Sequence, residues 1–203
     1  MTQAAAQPIT FDQFLQQYPE DGGRYELLNG AIAEMRPIGQ HEEVAGFIAD
    51  QITLEIYRLN LPYFVPRTCL VKPYRENFGY LPDIVVLDQQ AIAADPYWQK
   101  YSTISIGSSA RLVVEVVSTN WRDDYLTKLA DYESLGIPEY WIVDYRALGA
   151  ARYIGLPKLP TISVYRLTED NEYQVEQFRA ERIRSGVFSE WSLTAQQMMS
   201  AKR

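Results

Sequence analysis

Three residues of types that could do chemistry stand in surroundings that do not suit them: Asp83 in "LPDIVVLD", Glu115 in "LVVEVVS" and Lys128 in "WRDDYLTKLADY". An ionised carboxylate inside a valine-rich run is costly unless it is paired or bound to a metal. Side chains alternate across a strand, so Asp83 shares a face with Val85 and Leu87, and Glu115 shares one with Val113 and Val117. If the two strands are neighbours, two carboxylates meet inside one sheet, where each disfavours ionisation of the other. A hard divalent cation resolves that conflict, since carboxylates and water are its preferred ligands.

The same pair calls for a positive side chain. A lysine two residues after Glu115 would share its face, but Val117 stands there. The next candidate is Lys128. From Glu115 to the strand end the chain climbs about 10 Å, at roughly 3.3 Å per residue. From Trp121 to Lys128 a helix returns about 10 Å, at roughly 1.5 Å per residue. A helix folded back over the sheet therefore brings Lys128 level with Glu115. Trp121, Tyr125 and Tyr132, at offsets of seven, three and four from Lys128, mark the face that packs on the sheet. The plainer readings are an aspartate forming a turn after Pro82, a strand glutamate paired with a core arginine, and a surface pair between Asp124 and Lys128 at i, i+4.

These residues need elements to carry them. "TFDQFLQQY" reads as a short helix with Thr10 and Gln13 in a capping box. "RYELLNG" and "AIAEMRP" read as a hairpin turning at Asn29-Gly30. In "HEEVAGFIADQITLEIYRL", Val44, Phe47, Ile48, Ile52, Ile56 and Leu59 recur at helical spacing, up to a stop at Asn60 and Pro62. Strands are expected near 63–72, 81–87 and 111–117, with 89–108 as a polar surface excursion. A helix over about 121–135 stops at Gly136 and Pro138. "EYWIVDY" is an apolar strand, and strands near 162–167 and 172–178 form a hairpin around "TEDNE". The fold class is α/β (α+β): a mixed sheet flanked by helices, in the order helix-strand-strand-strand-helix-strand, with extra N-terminal and C-terminal hairpins.

Bulk properties narrow the field. A chain of 203 residues suits one domain, expected over 9–203 after a loose tail at 1–8. A single cysteine, Cys69, excludes an internal disulfide and a cysteine-rich zinc site. No apolar run is long enough for a membrane span and the N-terminus lacks a basic segment, so a soluble cytoplasmic protein is expected. The formal net charge of -7 argues against a general nucleic-acid coat protein, but not against an enzyme whose acidic residues hold cations.

Competing constellations fall short. "HEEVA" lacks the second histidine of a zinc-protease helix, and His41 is the only histidine. There is no G-x-S-x-G elbow and no P-loop or dinucleotide glycine pattern.

Pro82-Asp83 followed by Glu115-Val116-Val117, in that order of elements, resembles the PD-(D/E)XK nuclease superfamily. The longer series "RYELLNG", "GQHEEV", "LPDIVVLD", "LVVEVVS", a helical lysine and "GIPEYWIVD" resembles the Uma family of bacterial putative restriction endonucleases, over about residues 10–195. The resemblance implies a restriction-endonuclease-like core and a displaced motif lysine, with Asp83, Glu115 and Lys128 as the triad. It implies hydrolysis of DNA by a metal-activated water, with Asp83, Glu115 and the Val116 backbone carbonyl holding one or two Mg²⁺ (or Mn²⁺) ions. Lys128 would orient or deprotonate the water, or stabilise the transition state. Glu43 is expected as an outer metal contact, with His41 and Glu26 lining the cleft. A homodimer acting on a DNA substrate follows, with no organic cofactor; apart from the resemblance, Arg58, Arg67, Lys72, Arg75 and Arg122 are the bases that would form a local phosphate track if they cluster around Asp83 and Glu115. The alternative is a catalytically silent nuclease-fold protein that binds DNA or a protein partner.

Overall fold

Thr10 caps α1 (Phe11–Gln16) through the expected capping box, its hydroxyl accepting from the Gln13 N–H while the Gln13 side chain returns to the Thr10 backbone. The computed structural model describes residues 7–201, so residues 1–6 of the expected tail lie outside them. Pro8, assigned to that tail from sequence, is instead packed against Gly30. The next two elements, β1 (Arg24–Leu28) and β2 (Ala31–Met35), pair antiparallel with Leu28 opposite Ala31. Asn29 and Gly30 both have positive φ, 51° and 77°, which is the geometry a two-residue hairpin turn requires.

The long helix α2 (Gly39–Arg58) buries Val44, Ile48, Ile52 and Ile56 along one stripe. Each such side chain contributes roughly 1.5–3 kcal/mol when removed from water. After Asn60 the chain departs from the expected long strand. It forms only β3 (Tyr63–Phe64) and β4 (Leu70–Val71). Pro66 lies between them; it has no N–H to donate and restricts Val65 before it, so the ladder cannot run through. Next comes β5 (Ile84–Asp88).

The stretch 89–108 is more than a surface excursion. It contains α3 (Trp98–Tyr101) and β6 (Thr103–Ile104), which pairs parallel with β4. Buried Asp95 organises it by accepting from the N–H groups of Ser105 and Ile106, at 2.8 and 2.9 Å, and from the Ser109 hydroxyl at 3.1 Å.

The central strand β7 (Ala110–Val116) leads through a short turn into a helix that ends in α4 (Leu129–Leu135), and then to β8 (Glu139–Asp144). A short α5 (Ala151–Ile154) precedes the hairpin of β9 (Thr161–Leu167) and β10 (Tyr173–Phe178), and α6 (Ala195–Ser200) follows. The six-stranded sheet runs β10-β9-β8-β7-β5-β3, with β7 and β8 parallel and the other neighbours antiparallel. One face packs Ile84, Val86, Val114 and Val116 against α2 and α6. The other packs Val85, Val113, Val117 and Tyr140 under Tyr125 and Tyr132. Among the described residues, no helix is long and apolar enough to cross a membrane.

The helix expected over 121–135 contains a difference that matters for the site. Residues Asp123–Lys128 form a π-helical segment rather than an α-helical one. The buried Tyr140 hydroxyl donates to the Asp124 carbonyl at 3.1 Å. A side chain inserted at that carbonyl opens the i→i−4 ladder and favours the wider turn.

Candidate active site

Asp83 lies one residue before β5 and Glu115 is the next-to-last residue of β7. The strands pair with Ile84 opposite Val114, so one further step sets Asp83 opposite Glu115 on the same face. The Val116 N–H donates to Asp83 Oδ2 at 2.8 Å, extending the ladder with a side chain. Glu115 is buried in the core, as the valine-rich strand predicts.

Lys128 arrives as the rise of strand and helix predicts. Its Nζ is 3.0 Å from Glu115 Oε1, 3.0 Å from Glu26 Oε1 and 3.7 Å from Asp124 Oδ1. It also lies 5.6 Å from the centroid of the Tyr80 ring. The Asp124–Lys128 pair is therefore not a surface pair; both residues are buried. The Tyr132 hydroxyl donates to Glu115 Oε1 at 2.9 Å. Val117, at the position a strand lysine would use, is core instead.

The electrostatics follow from one ammonium among several carboxylates. Burial pushes the Glu115 carboxyl up to about 7, Asp83 and Glu26 add to that, and Lys128 opposes it. Burial likewise holds Asp124 well above the usual aspartate range despite Lys128. Burial lowers the Lys128 ammonium, but Glu115, Glu26 and Asp124 outweigh it and hold the group well above its usual value. One ammonium thus faces several carboxyl groups, two of which burial biases toward the protonated form, and Lys128 is an ammonium rather than a free amine.

His41, in the first turn of α2, reaches round the end of the sheet. Its Nε2 lies 2.9 Å from the Val116 carbonyl oxygen and 3.3 Å from Asp83 Oδ2. A carbonyl oxygen can only accept, so Nε2 carries the proton. Burial lowers the His41 pKa, while Asp83, the Val116 carbonyl and Glu42 raise it by more, for a net rise. Arg24 sits 3.4 Å from Glu42 and 3.9 Å from Asp83.

A cavity of about 320 Å³ opens over this group, and Asp83, Glu115, Lys128 and His41 line it with Arg24, Arg36 and Arg146. Two of the expected auxiliary residues are placed elsewhere. Glu43 is exposed on α2 and outside the cavity; Glu42, one residue earlier, faces Arg24 and His41 instead. Glu26 does not line the cleft but lies buried beneath it against Lys128. The expected phosphate track is not at the cavity. Arg58 pairs with Glu55 and Glu190, Lys72 covers Phe11 and Tyr97, Arg75 pairs with Asp131, Arg122 covers Trp121, and Arg67 is not among the lining residues.

The donors available to a cation are two neighbouring carboxylates and one backbone carbonyl, all hard oxygen. Among the described residues, no three or more His, Cys, Asp or Glu side chains converge as a ready-made metal cluster. That donor set fits Mg²⁺, which takes one or two carboxylates, keeps several waters and completes its shell with phosphate oxygens. Sequence reasoning missed Arg24, Asp124 and Tyr132 as members of the site. Tyr132 and Asp124 each lie four residues from Lys128, a spacing that places them on its side of the helix.

The Uma2 family, described as a putative restriction endonuclease, matches residues 11–196. A crystal structure of a putative nuclease belonging to DUF820 from Anabaena variabilis has the same fold, with a TM-score of 0.67 over 96% of this chain and 99% of that one, at 20% identity. No curated protein matches the chain.

Proposed function

Since the chain belongs to the Uma2 family of putative restriction endonucleases, we propose that it is a metal-dependent endodeoxyribonuclease whose site is Asp83, Glu115 and Lys128. The observation that carries this reading is the approach of the Lys128 ammonium to within 3.0 Å of Glu115, beside Asp83, at the floor of a cavity rimmed by arginines. Asp83, Glu115 and the Val116 carbonyl would hold one or two Mg²⁺ or Mn²⁺ ions. Such an ion, when bound, lowers the pKa of a coordinated water and neutralises charge on the phosphate.

The chain's own residues divide the remaining work. Asp83 is held in register by the Val116 N–H and by His41 Nε2–H. Lys128 stabilises negative charge building on the phosphate oxygens; its surrounding carboxylates keep it protonated, which leaves it unsuited to accept a proton. Arg24, Arg36 and Arg146 receive the phosphate backbone at the rim. In the reaction a water oxygen bonds to phosphorus and gives up a proton to bulk solvent, the bond to one sugar oxygen breaks, and that oxygen takes up a proton from solvent. A cut through both strands calls for two such sites, hence a homodimer. The single buried Cys69 suits a reducing cytoplasm.

One observation favours binding without cutting: Arg24 and Arg36 already pair with Glu42 and Glu34, at 3.4 and 2.7 Å, so the rim is less positive than its arginines suggest. Incubating plasmid and linear duplex with purified protein and Mg²⁺ or Mn²⁺ separates the two. Cleavage is expected, and Asp83→Ala or Lys128→Ala should each abolish it. Cleavage that persists in both variants overturns the site; DNA binding without cleavage in any metal overturns the enzyme.

A further inference from the structure

We propose that Glu26 is the positioning residue for Lys128, so that the N-terminal hairpin is a working part of the site although it stands outside the six-stranded sheet. This rests on the nuclease reading for its catalytic meaning, but the contact itself does not. A lysine on the strand next to Glu115 would be aimed by the strand's own register. Lys128 instead reaches in from a helix on a flexible four-carbon stem, and something must hold its end.

Glu26 Oε1 is 3.0 Å from the ammonium, and the same oxygen accepts the Leu81 N–H at 3.0 Å. Leu81 lies two residues before Asp83, so one carboxylate oxygen ties the lysine to the segment that carries the aspartate. The hairpin is in turn stitched to that segment, with the Leu27 N–H donating to Gly79 at 2.8 Å and the Gly79 N–H donating back at 2.9 Å. Glu26 is 2% exposed and does not line the cavity. It touches neither substrate nor a donor of the proposed ion site, so its effect passes through Lys128. Glu115, at 3.0 Å, and Asp124, at 3.7 Å, meet the ammonium from the sheet and from its own helix; Glu26 adds a 3.0 Å partner from the hairpin.

The test is a double-mutant cycle on the full chain with Glu26→Gln and Lys128→Met, read by melting temperature and by DNA cleavage. Glu26→Gln keeps an acceptor for Leu81 and removes the charge. In the wild-type background it should lower Tm, because the ammonium loses a partner. In the Lys128→Met background it should raise Tm, because it removes a buried carboxylate left without its cation. Equal lowering in both backgrounds means a structural role unrelated to Lys128 and overturns the proposal. For cleavage, Glu26→Gln should reduce kcat about 10- to 100-fold with KM for DNA little changed, as loss of a supporting contact does. Wild-type kcat, or a loss confined to KM, overturns the positioning role. If the wild type cuts no DNA, the nuclease reading fails, and the melting cycle still decides whether Glu26 clamps Lys128.

Discussion

Replacing Lys128 by methionine keeps most of the stem and removes the ammonium. Glu26 and Glu115, each 3.0 Å away, and Asp124 at 3.7 Å then lose the cation that faces all three. Breaking a buried ion pair from one side costs about 3–5 kcal/mol. In a chain of this size 1 kcal/mol shifts Tm by roughly 2–4 °C, so Tm at pH 8 should fall by about 6–20 °C. The loss should depend on pH, and its sign follows from the carboxylates. With Lys128 present, Glu115 already stands at about 7, against 4.5 for an unperturbed glutamate. Without the ammonium its folded-state pKa rises further. A carboxylate whose folded pKa lies above its unfolded one destabilises the fold above the folded pKa, and the penalty fades as pH falls toward the unfolded value. The gap between Lys128→Met and wild type should therefore narrow from pH 8 to pH 5. Mg²⁺ at pH 8 should stabilise the variant more than the wild type, since it binds folded carboxylates the lysine no longer neutralises. Scanning calorimetry across this grid is the assay. A gap equal at both pH values, or no gap, refutes the view that this ammonium neutralises the cluster.

Two further outcomes follow from residues around the site. Arg24→Gln with Arg146→Gln should weaken DNA binding by the Asp83→Ala protein at low salt and flatten its salt dependence, since each phosphate contact contributes about one unit to the log–log slope; an unchanged slope removes those arginines from the interface. Asp95→Ala removes the acceptor of two part-buried N–H groups and of the buried Ser109 hydroxyl, a loss of roughly 1–3 kcal/mol, so Tm should drop by at least about 2 °C while cleavage of DNA by the folded protein stays at the wild-type rate. A Tm unchanged by that substitution would show that the 89–108 stretch is held by its apolar contacts alone.

The meeting of Asp83, Glu115 and Lys128 was legible because it rests on regular geometry. Strand alternation put Asp83 and Glu115 on one face, and two rise-per-residue values brought Lys128 level with them. The Asn29-Gly30 turn was legible for the same kind of reason, a local backbone demand that few residue pairs meet. What escaped depends on chain segments meeting in space. Glu26 bonds Lys128 only because the hairpin docks on Gly79, and nothing near Glu26 in sequence encodes that. Glu42 rather than Glu43 faces the site through a rotation of one helical position, which hydrophobic spacing does not resolve near a helix start. Asp124 looked like a solvated i, i+4 partner because its burial depends on where the helix docks, and the Tyr140 hydroxyl that meets its carbonyl comes from a later strand. The strand expected over 63–72 failed at Pro66, where a missing donor outweighs apolar character.

The π-helical turn at Asp123–Lys128 has a consequence for finding related chains. A wide turn accommodates one residue more than an α turn over the same height. A relative that lacks it could present the same ammonium from a position one residue nearer to its glutamate. The interval between glutamate and lysine is then a variable of this architecture, and a search pattern with a fixed gap would discard proteins whose sites superpose on this one. The invariant to search for is the set of partners around the ammonium, not the count of residues leading to it.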